Sequence, residues 1–159
     1  MLYRALLVLM ALLPASLAWA QSPVRYINPS GLTKPTGYTH VVVAADRRTV
    51  YIAGQVAFDS TGQVVGLGDF NAQAEKVFAN LRTALASVGG SFADVVKTTT
   101  LITDLKQVAA LRDIRARYFN PEHPPANTLI PVATLARADL LLEIEAVAVL
   151  PSAMPTGAR

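Results

Sequence analysis

The sequence predicts a two-layer α/β sandwich: one sheet with two helices on a single face. Three observations carry that prediction. Between Asp69 and Gly89, apolar residues recur at spacings of three and four, which is the face of an amphipathic helix. Short β-branched or alternating runs flank that helix and a second one, in the order β-β-β-α-β-α-β-β. Near the C-terminus, Leu140 to Leu150 is apolar at nine of eleven positions, as in a buried strand.

The elements follow in order. Val24 to Ile27 reads as a short edge strand in a segment rich in Pro, Gly, Ser and Thr. His40 to Ala45 and Thr49 to Ala53 read as a hairpin about the polar turn Asp46-Arg47-Arg48. Gly54 to Gly68 is a loop with its turn at Asp59-Ser60-Thr61-Gly62. Asp69 is an N-cap for a helix whose buried face is Phe70, Ala74, Val77, Leu81, Leu85 and Val88. Gly89-Gly90 ends it, since glycine adopts the left-handed conformation without a Cβ penalty. Val95 to Ile102 is a strand, and its three consecutive threonines suit a pleated surface. Asp104 caps a second helix, with Val108, Leu111, Arg115 and Tyr118 along one line and an end near Phe119-Asn120. Pro121 to Pro125 cannot continue it. Thr128 to Val132 and Leu140 to Leu150 are the last two of six strands, and Pro151 to Arg159 is a polar tail expected to be flexible. With both helices on one face, the other sheet face must be wet or meet another subunit.

Residues 1–20 read as a signal peptide. Arg4 precedes the apolar run Ala5 to Leu13, Pro14 breaks it, and Ala18-Trp19-Ala20 offers small residues at a cleavage site. The run is shorter than the roughly 20 residues a spanning helix needs, so no membrane association is expected after cleavage. Removing 20 of 159 residues leaves 139, with residues 21–150 forming one domain and 151–159 the tail. The expected location is the periplasm or the exterior. Losing Arg4 takes the net charge from +3 to +2. That small excess, with no interleaving of basic and aromatic residues, argues against a nucleic-acid partner. The absence of cysteine excludes disulfides and thiolate metal sites. The two histidines, His40 and His123, lack metal-ligand spacing, so no metal is expected.

The chemistry concentrates in the last strand. Glu143 and Glu145 are two apart and share a face. A carboxylate in a buried strand is costly unless it is paired, hydrogen-bonded or open to water. These acids therefore meet cations or backbone donors, line a small-molecule site, or lie on a solvated face.

Six collinear segments resemble the Rid (RidA/YjgF, reactive intermediate deaminase) family. They are Tyr51-Ile52-Ala53-Gly54-Gln55, then Gln73-Ala74 to Asn80-Leu81, and Val95-Val96-Lys97-Thr98-Thr99 with Thr103-Asp104. Arg117-Tyr118-Phe119, Glu122-His123-Pro124-Pro125-Ala126 and Glu143-Ile144-Glu145-Ala146-Val147-Ala148 complete the set. The resemblance runs from about Tyr26 to Leu150. It implies a chorismate-mutase-like fold with a six-stranded mixed sheet, assembled as a homotrimer with clefts between subunits. It implies hydrolysis of reactive enamines and imines, such as 2-aminoacrylate, to 2-keto acids and ammonia, with no cofactor.

By the same resemblance, Glu143 corresponds to a glutamate that positions the attacking water, and Tyr38 to a tyrosine lining the cleft. Where the family places an arginine that clamps the substrate carboxylate, directly after Pro-Ala, this chain has Asn127. Where the family has a helix asparagine, it has Arg112. The chain is thus similar to divergent Rid subgroups that lack the arginine. Asparagine donates and accepts but carries no charge, so it cannot replace a bidentate guanidinium–carboxylate pair. Arg112 either restores the charge from the helix or is a solvated residue beside Arg115 and Arg117. Two functions follow: an exported deaminase-like hydrolase acting on C–N bonds of a small metabolite, or a non-catalytic trimer that binds a small carboxylate or carbonyl ligand.

Overall fold

The computed structural model describes residues 24–27, 41–44 and 47–151. Its strands are β1 (Val24–Ile27), β2 (Val41–Ala44), β3 (Arg47–Gln55), β4 (Val95–Ile102), β5 (Ala126–Pro131) and β6 (Leu142–Pro151). The helices are α1 (Phe70–Ala86) and α2 (Val108–Arg115). Element types and order are those expected from the sequence. The expected leader, Tyr38, His40 and the tail beyond Pro151 lie outside the described residues.

The main sheet is four-stranded and mixed, in the order β3-β6-β4-β5. β6 is antiparallel to both neighbours, and β4 and β5 are parallel. β3 and β4 therefore run the same way, with β6 inserted between them. The chain crosses from β3 to β4 through α1 and from β4 to β5 through α2, each time in the same direction across the sheet. Crossovers of a single hand then place both helices on one face.

Two expectations change here. The first three strands and the last three do not form one six-stranded sheet among the described residues, because β1 and β2 pair only with each other. Nor do the second and third strands pair as a hairpin among the described residues: β3 pairs with β6. Two residues, Ala45-Asp46, separate those strands, and two-residue hairpins favour glycine or asparagine for the positive φ angles they need.

The layers are fixed by alternation. Leu142, Ile144, Ala146, Ala148 and Leu150 of β6, with Thr98, Thr100 and Ile102 of β4, point at the helices and are buried. From α1 come Phe70, Ala74, Val77, Leu81 and Leu85, the face read from the sequence, together with Gln73 and Phe78. Asp69 caps α1 by accepting from the Ala72 amide, and Gly89 takes φ +75° after the helix end. Gln73 is fully buried because its amide fastens three backbone groups. Its Nε2 donates to Asp139 O at 2.8 Å and Gly66 O at 3.3 Å, and its Oε1 accepts from Leu141 N at 2.9 Å. One turn on, Asn80 donates to Val56 O and Phe58 O. These two amides tie both the 56–66 loop and the approach to β6 onto α1.

The second helix is shorter than the sequence suggests. Asp104 caps a 3₁₀ turn over Leu105–Gln107, and the α-helix spans only Val108–Arg115. Beyond it, Tyr118 N bonds to Arg115 O in a tight turn. Tyr118 stacks on Phe78 with ring centroids 4.4 Å apart, and Phe119 meets Phe92 edge-on at 5.3 Å. Packing of these aromatics against α1 redirects the chain before Pro121 would have stopped the helix.

Candidate functional site

A cavity of about 600 Å³ lies between α2 and the β4–β5 side of the sheet. Buried Leu111 and Phe119 and the sheet residues Thr100 and Ile144 form its floor. Exposed Leu105, Arg112 and Pro121 stand at its mouth. The volume is within the range of small-molecule sites, and the walls are mostly apolar with a few polar groups, as such sites usually are.

Asn127 enters this cavity from β5. Its strand pairs with β4 in the register Thr98↔Asn127, so its side chain faces the helix layer alongside Thr98 and Thr100. The Asn127 Oδ1 accepts from both threonine hydroxyls, at 2.8 Å from Thr98 Oγ1 and 3.1 Å from Thr100 Oγ1. The acceptor end of the amide is thereby consumed. Among the described residues no group accepts from Nδ2, so Asn127 offers the cavity donors alone.

Arg112 lines the mouth, and among the described residues its guanidinium makes no hydrogen bond or ion pair. One turn later Arg115 lines the same cavity, with its guanidinium carbon 4.8 Å from the centre of the Phe119 ring. Burial pushes the Arg115 guanidinium down to about 10, which leaves it cationic at neutral pH. No aspartate, glutamate or histidine lines the cavity among the described residues. The site is therefore an apolar pocket lined by two arginines and two asparagines, Asn120 and Asn127, suited to a carboxylate or carbonyl oxygen.

Glu143 is elsewhere. It lies on the odd-numbered side of β6, the face away from the helices, next to Leu101 of β4. Its carboxylate folds over Gly54, at an irregular step in the β3–β6 pairing between Ile52 and Gln55. A Cβ at position 54 would sit 1.7 Å from Glu143 Oε1, so only glycine allows this approach. Glu143 is half-buried and accepts no hydrogen bond among the described residues, while Glu145 on the same face is exposed. Exposed Tyr51 and Lys97 share that face, and Lys97 Nζ donates to Thr99 rather than to either acid.

Of the residues singled out in the sequence, Arg112 and Asn127 thus converge on one cavity. Glu143 stands on the opposite face of the sheet, and Tyr38 is outside the described residues. Sequence reasoning missed Arg115, Thr98 and Thr100. An arginine in the apolar line of the second helix was the signal for Arg115. Strand alternation puts Thr98 and Thr100 on one face and Thr99 on the other, but it does not say which face meets Asn127.

The chain matches the family model described as Endoribonuclease L-PSP over residues 31–150. It is 35% identical to a RutC family protein of Synechocystis, covering 81% of this chain and 98% of that one. The structure resembles the Rid family protein YyfB from Yersinia pestis, with TM-score 0.75 and 38% identity, over 80% of this chain and 99% of that chain. It also resembles E. coli TdcF with bound serine, with TM-score 0.57 and 28% identity, over 67% of this chain and 87% of the other.

Proposed function

We propose that the chain, which belongs to the Rid (Endoribonuclease L-PSP) family, binds a small carboxylic acid in the cavity between α2 and β5, as an exported homotrimer with little deaminase activity. The observation that carries this reading is the convergence of Arg112 and a donor-only Asn127 on one apolar cavity. Arg112 supplies the charge for the ligand carboxylate, and the Asn127 Nδ2 reaches a second oxygen. That a small carboxylate can occupy this fold is supported by the serine bound to TdcF.

Hydrolysis of an imine needs water delivered to the C=N carbon and a group to carry a proton to the departing nitrogen. The cavity has cations and amides but, among the described residues, no aspartate, glutamate or histidine. The Glu143 carboxylate, which could orient water, faces away from it in the same chain. A ligand held by Arg112 is thus bound without a general base beside it.

A second reading is favoured by Glu143 itself. Its carboxylate is half-buried, has no hydrogen-bond donor among the described residues, and is accommodated by a glycine. In a trimer, a neighbouring subunit could complete a cleft around it, and enamine or imine hydrolysis would then occur there. Even so, loss of the arginine clamp at position 127 weakens transition-state binding by about 2–5 kcal/mol, or about 30- to several-thousand-fold in rate.

The two readings are separated by calorimetric titration with pyruvate and an assay of 2-aminoacrylate hydrolysis, each on wild type, Arg112→Ala and Glu143→Gln. Binding lost in Arg112→Ala and kept in Glu143→Gln, with slow hydrolysis throughout, supports the binding protein. Rapid wild-type hydrolysis abolished by Glu143→Gln supports the enzyme and overturns the first reading.

A further inference from the structure

We infer that Glu75 of α1 is a positioning residue for the cavity, which it does not line. By holding Arg117 and Tyr118 it fixes the chain from Arg115 to Pro121 as one wall. Ligand affinity then depends on a carboxylate that the ligand does not touch. The inference rests on the proposed binding of a small acid in this cavity and adds what holds one of its sides in place.

The wall begins where α2 stops. Arg115, Ala116, Phe119, Asn120 and Pro121 line the cavity, yet the helix ends at Arg115. From Ala116 to Phe119 the backbone N–H groups bond back to Arg112, Ile114 and Arg115, and Pro121 has none to give. These bonds tie the stretch to its own helix, so side chains must tie it to the rest of the molecule. A segment held this way opens more easily than one inside a helix or sheet.

Two kinds of side-chain contact are present. Tyr118 stacks on Phe78 at 4.4 Å, Phe119 meets Phe92 at 5.3 Å, and the Arg82 guanidinium carbon lies 5.2 Å from the centre of the Tyr118 ring. Ring contacts tolerate offset, so they set spacing better than register. A hydrogen bond weakens steeply as its angle opens, and so resists sliding. Tyr118 Oη donates to Glu75 Oε2 at 2.7 Å, and Arg117 pairs with Glu75 Oε1. The two oxygens of one carboxylate thus grip successive residues whose flanking neighbours, Ala116 and Phe119, line the cavity. Without that grip a ligand must order the wall as it binds, which costs affinity.

The test uses Glu75→Ala, Tyr118→Phe, the double variant and Asp59→Ala. Asp59 organises a turn by accepting from the Thr61 and Gln63 amides, so its loss perturbs a structural contact made by no residue of the wall. Each chain is titrated with pyruvate by calorimetry, and amide hydrogen exchange over residues 116–120 is followed without ligand. We expect both single variants to bind pyruvate about 3- to 10-fold more weakly, the scale set by a partly exposed polar contact, and to exchange faster at 116–120. The double variant should bind no more weakly than the weaker single one, since both remove the same contact. Asp59→Ala should bind like wild type.

Wild-type affinity in Glu75→Ala would overturn the inference. So would an equal loss in Asp59→Ala, which would mark a general effect of destabilisation, or unchanged exchange at 116–120. In each of these outcomes wild type still binds pyruvate and the binding reading stands. Absence of binding by wild type would instead overturn that reading, and the dependence of affinity on Glu75 with it.

Discussion

At the scale of single residues, two positions make demands that can be measured. Asn127 Oδ1 is the acceptor for two threonine hydroxyls whose residues are 1% and 3% exposed. Asn127→Ala removes that acceptor and leaves both hydroxyls in a poorly hydrated site. The cost should be about 1–3 kcal/mol in urea unfolding, since a buried polar group without a partner pays its desolvation. A Thr98→Val/Thr100→Val background removes the hydroxyls as well, so the same Asn127→Ala step should cost less there.

Gly54 makes the other demand. A methyl at this position meets the carboxylate end of the flexible, half-buried Glu143 side chain, which can swing aside, so Gly54→Ala should cost no more than about 1 kcal/mol. The penalty should shrink when Glu143→Ala is added, because the colliding group is gone. Equal penalties in both backgrounds would mean that position 54 matters through the β3 backbone alone. The sequence made Glu143 visible as a charge in an apolar strand, and Asn127 visible only through comparison with a family pattern. Their placement on opposite faces follows from strand register, which no motif encodes.

At the scale of elements, a polar cluster fastens α2 to α1. Glu75 of α1 accepts from Tyr118 Oη at 2.7 Å and pairs with Arg117. The hydrogen bond from Tyr118 and then the bond from Arg117 hold the Glu75 carboxyl below its ordinary value of 4.5. A carboxylate with a depressed folded-state value contributes stability above its unfolded value, and that contribution is lost as pH falls through the folded one. Wild type should therefore be more stable than Glu75→Gln at pH 7. The gap between their melting temperatures should close as pH drops below about 4.5. A gap that persists unchanged to pH 3 would locate the effect in packing rather than in the charge. The exposed parts of this cluster keep its effect modest, since both ionic side chains are partly in water.

The elements themselves were largely legible in the sequence, for identifiable reasons. α1 had a capping aspartate, a regular apolar face and a terminal glycine, three signals that agree. The second helix had a cap and an apolar line but no stop signal before Pro121, so its early end was hidden. What ends it is tertiary: Phe78, Phe92, Tyr118 and Phe119 gather from three separate segments. The pairing of β3 with β6 was hidden for a similar reason, because strand partners are chosen across the sheet rather than along the chain.

At the scale of the whole molecule, the helix-free face of the sheet poses the question of assembly. Tyr51 on this face is 80% exposed and Ile130 is 40% exposed, and Leu101 and Val147 lie in the adjoining strands. Apolar side chains this open usually mark a surface that another chain covers. The proposed homotrimer would bury them and bring the Glu143 side of one subunit against the next. Exported protein, expected to begin at Gln21, should give three times the monomer mass by light scattering, and N-terminal sequencing of the same material checks the cleavage. Tyr51→Glu probes the face directly. On a surface that faces only water, exchanging an exposed side chain changes stability by less than about 0.5 kcal/mol and leaves the mass alone. Within an interface it introduces an unpaired charge, and the assembly should dissociate into monomers with an unaltered circular dichroism spectrum. A wild-type protein that remains monomeric at all concentrations would remove the trimer. It would also remove the inter-subunit cleft on which Glu143-dependent hydrolysis depends, and leave the cavity under α2 as the place where a ligand binds.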